Sequence, residues 1–235
     1  MRHTVRLAAG LLLLAAPASA QVEPGRFQVN VEGGIQQYAE KASLESGVMA
    51  GLRTTYFFNE HIGLGGFVLA GRPMTRGDDF PLVRYSFLSS DETNDTTLLY
   101  SVSQRTTHLQ YGLDATYRFA FGRFAPFVSA GFGRYRIFLN PAQETTLKDL
   151  TGNAYQYGAG VEVDLGENSG VRLGLTDQVL LDYKRHEMCI ACQGPSALMR
   201  EYRFPNPTAE SIEPVDALHN LRFMASFNFV PGGRR

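Results

Sequence analysis

Polar and apolar side chains alternate along most of the chain with a period of two residues. The clearest run covers 108–119, where Leu109, Tyr111 and Leu113 alternate with polar residues or glycine. Strict alternation over many residues is typical of β-strands that have one apolar and one polar face. The same alternation is found in six stretches, which are 27–36, 48–58, 108–119, 155–165, 171–176 and 221–229.

Two further stretches, 62–72 and 124–139, are apolar and glycine-rich and are predicted as strands without a clear assignment of their faces. In the second, Arg134 and Arg136 have the same parity as Val128. A β-bulge is one way to resolve that conflict, because it shifts the alternation by one residue. Together the stretches predict about eight strands, each long enough for the ~9–11 residues that a tilted membrane strand needs.

The connections between these strands alternate in length. Short turns are predicted at 59–61, 121–123 and 166–170, and long loops at 40–46, 74–104, 140–153 and 184–217. Short turns on one rim and long loops on the other are typical of outer-membrane barrels, whose long loops face the cell exterior. The pattern therefore predicts an all-β fold, a closed antiparallel up-and-down transmembrane β-barrel.

The first twenty residues have the features of a secretory signal peptide. A cationic start is followed by the apolar run 7–16 and by small residues that end at Ala20. The run is about half the ~20 residues that a spanning helix requires. We therefore predict a signal peptide at 1–20, cleavage between Ala20 and Gln21, and a barrel domain at 21–235.

The polar strand face is predicted to line the lumen, although alternation alone would also fit a soluble lipocalin-type barrel. Only three lysines occur, and all lie in predicted loops or at a rim, whereas a water-facing strand surface usually carries lysine. The polar face carries small residues suited to a crowded interior, namely Gly33, Gly51, Gly112, Gly158, Gly160 and Gly174. It also carries both signs of charge, and a low-dielectric interior requires such charges to pair. We predict a lumen charge network of Glu32, Arg53, Asp114, Arg118, Glu162, Asp164, Arg172 and Arg222.

Aromatic residues are predicted to form two girdles at the membrane interfaces. The girdle near the short turns comprises Tyr56, Phe58, Tyr117, Phe119, Phe124, Phe127, Phe227 and Phe229. The girdle near the long loops comprises Tyr38, Tyr135, Tyr155, Tyr157 and Tyr183.

Four stretches, 55–64, 126–133, 160–165 and 219–229, resemble the small outer-membrane β-barrel family of the OmpA and OmpX kind. The resemblance implies a barrel in the bacterial outer membrane, in contact with outer-membrane lipids, and here without a peptidoglycan-binding domain. It also implies that the barrel-assembly machinery reads the aromatic end of the last strand, at Phe227 and Phe229. The tail 230–235 departs from that pattern.

Cys189 and Cys192 form a Cys-x-x-Cys pair within the last long loop. In an exported protein this spacing predicts a disulfide that pins a short loop. With His186 it would also suit zinc, but a fourth ligand is not evident. A thioredoxin-like redox role requires a βαβ setting that the strand pattern does not offer.

Other candidate chemistry is weak. The acidic stretches 78–79 and 91–95 suit either a solvated loop or Ca²⁺ and the cations that bridge lipopolysaccharide, but they lack an EF-hand register. His108 falls on the polar strand face and is predicted to join a lumen hydrogen-bond network. His186-Glu187 has no serine in a recognisable motif nearby. The sequence therefore predicts no enzymatic activity, no metal and no cofactor.

The predicted function is a structural or surface-interaction role, in which long loops contact lipopolysaccharide or an unidentified surface ligand. A lumen filled by side chains follows from about eight strands. The alternative is a narrow pore or small-solute carrier, suggested by the glycine and polar residues of the lumen; a lipid-modifying enzyme is a weaker one. After removal of residues 1–20 the charge is 20 Lys and Arg against 23 Asp and Glu, or −3, which gives no basic excess for nucleic acid.

Overall fold

A computed structural model describes residues 25–76, 81–88, 95–101, 103, 105–119, 121–139, 149–166, 168–184 and 215–231. The predicted signal peptide with its cleavage point between Ala20 and Gln21 lies outside these residues. So do Cys189, Cys192, His186 and most of the acidic stretches.

The described part of the chain is almost entirely β-strand. One short 3-10 turn, Glu40–Ala42, follows the first strand. The strands are β1 (Arg26–Gln37), β2 (Gly47–Phe57), β3 (Ile62–Gly71), β4 (Pro81–Leu88), β5 (Asp95–Ser101), β6 (Thr106–Arg118), β7 (Phe124–Leu139), β8 (Leu150–Gly166), β9 (Ser169–Tyr183) and β10 (Val215–Phe229).

Eight of these strands close into an antiparallel barrel, which confirms the predicted fold. Their order around the barrel is β1-β2-β3-β6-β7-β8-β9-β10, and β10 pairs with β1 from Val29–Phe229 to Gln37–Leu221. The last strand thus pairs along most of the first, which leaves no open sheet edge between them.

The second long connection is not only a loop, as the prediction had it, because β4 and β5 pair there as a separate hairpin. The sequence of β4 alternates at Val83, Tyr85 and Phe87, so the signal was present. It was missed because the stretch lies between acidic clusters that are typical of loops.

The three short turns lie at one end of the barrel, as predicted. The start of β1 and the end of β10 lie at the same end. Asn59 closes the first turn, since its side-chain Oδ1 accepts hydrogen bonds from the backbone N–H groups of His61 and Ile62 at 2.9 and 2.7 Å. In the second turn Gly122 has a φ of 62°, a conformation that glycine adopts without strain. We call this the periplasmic end, and the end with the long connections the outer end.

A bulge in β7, offered above as a solution for its arginines, is wrong. The strand pairs with β6 and β8 without a register shift, and Arg134 and Arg136 point outward like Val128. The physical reason is length: β7 has 16 residues, more than the ~9–11 needed to cross lipid. Its outer end therefore extends beyond the apolar band. Charged side chains on the outward face are favourable there, because they are no longer in contact with lipid chains.

β8 and β10 also extend farther at the outer end of the barrel than predicted. β8 begins at Leu150, inside the predicted loop 140–153, and β10 begins at Val215, inside the predicted loop 184–217. Below these extensions, each barrel strand presents apolar residues outward. On β10, for example, Leu221, Phe223 and Phe227 are all about half exposed.

The predicted aromatic girdles are right for most residues and wrong for four. Phe58, Tyr117, Phe119, Phe124, Phe227 and Phe229 at the periplasmic end, and Tyr155 and Tyr157 at the outer end, are exposed on the outer wall. Tyr56 shares their outward face at the periplasmic end and is partly exposed. The four exceptions, Phe127, Tyr38, Tyr135 and Tyr183, are buried inside the barrel. Phe127 has lumen parity on β7, and the three tyrosines pack in an apolar cluster described below.

Five of the six glycines predicted to face the lumen do so, and Gly33 does not. It has the outward parity of β1, and a β-carbon there would have no atom within 4 Å. At Gly112, in contrast, a β-carbon would lie 2.3 Å from the Phe132 carbonyl oxygen and 2.6 Å from Gly133 Cα. The close approach of β6 and β7 therefore depends on Gly112.

We expect Gly112→Val to lower the free energy of unfolding by about 1–3 kcal/mol or more, because the added carbons overlap the backbone of β7. Gly33→Val is the matched control, since the same side chain enters open space, and it should change stability by less than about 0.5 kcal/mol. Urea unfolding of the refolded barrel in lipid vesicles measures both. Equal losses would show that crowding at Gly112 is not the cause.

Candidate functional site

The first part of the lumen charge network is centred on Arg53 of β2. Its Nε donates to Glu32 Oε1 of β1 at 2.6 Å, and its Nη1 donates to Asp114 Oδ2 of β6. All three side chains are buried. The guanidinium also lies over the Phe67 ring, 5.2 Å from its centroid. One arginine thus compensates two carboxylates and links three strands.

The second part joins β6 to β8 across the lumen. Arg118 Nη1 lies 3.2 Å from Glu162 Oε1, and the Gln28 amide of β1 donates to the same oxygen. The Arg118 guanidinium stacks over Phe57 at 4.0 Å. Asp164, two residues beyond Glu162, is only partly buried and makes no ion pair among the described residues.

Arg172 and Arg222 have no ion pair among the described residues, although both are buried. Arg172 lies opposite Glu162 in the β8–β9 register, yet its guanidinium stacks over Phe127 at 3.6 Å. Arg222 donates from Nη1 to Gln110 Oε1 at 2.7 Å and from Nη2 to Gln156 Oε1 at 2.6 Å. The predicted network is thus divided into two ion-paired groups, with Asp164, Arg172 and Arg222 outside them.

Amide side chains complete the polar interior, and the sequence analysis gave them no role. Besides the amides that hold Arg222, Gln36 of β1 donates to Gln178 of β9 across the barrel. The available signal was parity, because glutamines occur repeatedly at lumen positions: Gln28, Gln36, Gln110, Gln156 and Gln178. Amides satisfy charged and polar neighbours without adding charge.

Toward the outer end the lumen becomes apolar. We call the following buried residues the outer apolar cluster: Tyr38, Ala42, Leu44, Tyr135, Ile137, Leu150, Ala154, Leu180, Tyr183 and Leu218. Its members come from the segment after β1 and from β7, β8, β9 and β10. The first long connection therefore folds across the outer mouth and packs against the opposite wall.

Hydrogen bonds hold that segment in place. The Tyr183 hydroxyl donates to the Ala42 carbonyl oxygen at 2.9 Å, and the Ala39 N–H donates to Asn220 Oδ1 at 3.0 Å. The Tyr38 hydroxyl lies 2.6 Å from His108 Nδ1, which places the buried His108 in a lumen hydrogen bond. Burial raises the pKa of the Tyr38 phenol, so it stays neutral at physiological pH.

A second polar feature lies on the outer wall, just beyond the apolar band. We call Arg72, Arg105 and Arg134 the arginine arc; all three are exposed and make no ion pair among the described residues. Arg72 follows β3, Arg105 precedes β6 and Arg134 is on β7, so they occupy three neighbouring strands. Arg136 lies beside the arc and pairs through Nε with Asp149 Oδ2 at 2.7 Å.

The opposite wall carries acidic and neutral groups at the corresponding position. On β9, Asp177 accepts hydrogen bonds from the Tyr157 hydroxyl of β8 at 2.5 Å and contacts His219 Nδ1 of β10 at 2.8 Å. Asp216 of β10 is exposed nearby, and Asp182 of β9 pairs with Lys184 at 2.9 Å. The described part of the outer wall thus carries the arginine arc on one side and paired or exposed carboxylates on the other.

The residues that the structure describes contain no group of three or more His, Cys, Asp or Glu side chains placed to hold a metal ion. No helix among them has the length and hydrophobicity required to span a membrane.

The family model of the outer membrane protein beta-barrel domain matches residues 7–191, and the chain belongs to this family. With the closed eight-stranded barrel, this makes the protein an integral β-barrel of the bacterial outer membrane. No curated protein matches the chain in sequence.

The chain is similar to solved structures that include the following three. The Neisserial surface protein A shares 10% identity at a TM-score of 0.48, covering 86% of this chain and 94% of its own. Outer membrane protein W of E. coli shares 18% identity at a TM-score of 0.39, and the match covers 88% of this chain and 98% of that protein. The third structure is Ail, the attachment invasion locus protein of Yersinia pestis, in complex with the heparin analogue sucrose octasulfate. It shares 11% identity at a TM-score of 0.36, and the match covers 88% of this chain and 99% of that protein.

Proposed function

We propose that the protein is a structural and surface-interaction barrel that binds lipopolysaccharide through its arginine arc and presents its long loops to an external ligand. The observation that carries the proposal is the position of Arg72, Arg105 and Arg134, exposed directly beyond the apolar wall. Guanidinium groups bind phosphate with paired hydrogen bonds, and lipid A carries phosphates on its head group.

The strand register places the three arginines on one side of the barrel, above its apolar wall. Arg134 of β7 lies opposite Tyr111 of β6, and on β3 the outward Ala70 lies opposite Leu109, with Arg72 two residues farther out. Apolar side chains thus lie directly below the cations. A lipid that has acyl chains and a phosphorylated head group matches both parts of this surface.

A comparison of thermal unfolding in phospholipid nanodiscs with and without lipopolysaccharide tests this. We expect lipopolysaccharide to raise the unfolding midpoint of the wild type and to have little effect on Arg72→Gln/Arg105→Gln/Arg134→Gln. At about 1 kcal/mol per cation near an anionic lipid surface, the triple variant loses about 3 kcal/mol of interaction. Arg123→Gln, at the exposed periplasmic turn, is the control. Equal stabilisation of all three proteins, or an undiminished effect of dephosphorylated lipopolysaccharide, would contradict the proposal.

A narrow pore is the second candidate, favoured by the polar lumen of arginines, carboxylates and glutamines. Against it, the segment after β1 packs across the outer mouth, and a cavity within the lumen has a volume of only about 20 Å³. About one water molecule fits in such a space. We expect no steady ion-sized current from the purified barrel in planar bilayers. Such currents, if abolished by an antibody to the loops, would favour the pore.

We also propose that the barrel has no enzymatic activity. Of the histidines considered above, His108 is completely buried and therefore inaccessible to a lipid or peptide substrate, and His186 lies outside the described residues. Mass spectrometry of lipid A from cells with and without the protein tests this, and a protein-dependent modification lost on substituting His186 would contradict it.

The barrel-assembly machinery is a further proposed partner. Phe227 and Phe229 stand exposed at the end of β10, where an aromatic recognition signal is expected.

A further inference from the structure

The buried charges of the lumen do not balance. Among the described residues, the buried arginines outnumber the buried carboxylates by four to three, an excess of one positive charge. The partly buried Asp164 lies at the periplasmic end, where water reaches it. The buried groups are Arg53, Arg118, Arg172 and Arg222 against Glu32, Asp114 and Glu162.

The excess is located at Arg172 and Arg222. Each carboxylate is already held by another arginine, Glu32 and Asp114 by Arg53 and Glu162 by Arg118. Arg172 Nη1 and Arg222 Nε have no hydrogen-bond partner among the described residues. An uncompensated buried charge costs several kcal/mol, so a compensating partner is expected.

The two guanidinium groups line one small cavity in the lumen. The 20 Å³ cavity is bordered by Arg172, Arg222 and Arg53, and by the hydroxyl-bearing Ser129 and Thr176. Glu32 is the one carboxylate in the lining, and Arg53 binds both of its oxygens. Hydrogen-bond donors thus dominate the wall, and there is room for a single small particle.

We propose that this cavity binds a monovalent anion of about the size of chloride, held between Arg172 and Arg222. One such ion brings the charge of the buried groups to zero. It also accepts hydrogen bonds from the two unpartnered guanidinium N–H groups. Larger anions such as sulfate or gluconate do not fit in the space. The site is independent of the proposed binding of lipopolysaccharide, because it lies inside the barrel.

Diffraction from crystals of the whole protein grown in bromide tests the site directly. We expect an anomalous peak between Arg172 and Arg222. Density there without an anomalous signal, as water would give, would overturn the proposal.

Unfolding in detergent at constant ionic strength provides a second test. Replacing gluconate by chloride should raise the urea midpoint of the wild type to a plateau, because the site saturates. Arg172→Met should lose this chloride dependence, and Arg123→Met, at the periplasmic turn, should keep it. A chloride effect of the same size in all three proteins would contradict the proposal. If Arg172→Met does not fold, the bromide experiment on the wild type decides.

Discussion

Arg53→Met is expected to destabilise the barrel strongly, lowering the free energy of unfolding by about 3–5 kcal/mol. The reason is that Glu32 and Asp114 both depend on this guanidinium and are left buried without a counter-charge. Urea unfolding in lipid vesicles, followed by the mobility difference between folded and heated protein on gels, measures the loss.

Two further variants identify the cause. Arg136→Met removes an exposed ion pair with Asp149 and should cost less than about 1 kcal/mol. Adding Glu32→Gln and Asp114→Asn to Arg53→Met removes the unpaired charges and should recover most of the loss. If the triple variant is as unstable as Arg53→Met, the missing charge pairing is not the cause, and lost contact with Phe67 becomes the better explanation.

Leu44→Asp is expected to release the first long connection from the outer mouth. Leu44 is completely buried in the outer apolar cluster, and losing such a side chain costs about 2–5 kcal/mol before the burial of a charge is counted. Lys41 lies three residues away in the same segment, and a protease cleaves a folded segment mainly after local unfolding. Trypsin added to intact vesicles should therefore cleave after Lys41 at least ten-fold faster in the variant.

Mass spectrometry of the fragment that ends at Lys41 separates this cleavage from cuts elsewhere. Glu45→Ala is the control, because Glu45 is exposed on the same segment and should leave the rate unchanged. Cleavage at the wild-type rate in Leu44→Asp would mean that the segment does not depend on the cluster.

The fold could be predicted from the sequence because lipid imposes a simple rule on each strand. Leu221, Phe223 and Phe227 must face outward and Arg222 inward, and this alternation survives in every membrane-crossing stretch. The rule no longer holds beyond the lipid. There the interior becomes apolar, with Tyr135 and Ile137 inside and Arg134 and Arg136 outside. The period of two continues through this change, so alternation alone does not show where the membrane ends.

The lumen site was predictable in composition but not in pairing. Parity identifies Arg172 and Glu162 as lumen residues, and the register even places them opposite each other. Their side chains are long enough to reach other strands, so Glu162 binds Arg118 and Arg172 stacks on Phe127. Which partner each takes depends on the three-dimensional packing of the barrel interior.

The unequal strand lengths give the barrel a slanted rim. β7, β8 and β9 have 16, 17 and 15 residues, whereas β3 has 10. Six additional residues at about 3.3 Å each, on a strand tilted by about 40°, raise one wall by roughly 15 Å. The last two long connections therefore begin well above the lipid head groups, and the first two begin close to them. A bulky partner that approaches the cell is expected to meet the tall wall first, while the low wall, with Arg72 and Arg105, stays at the level of the lipid head groups.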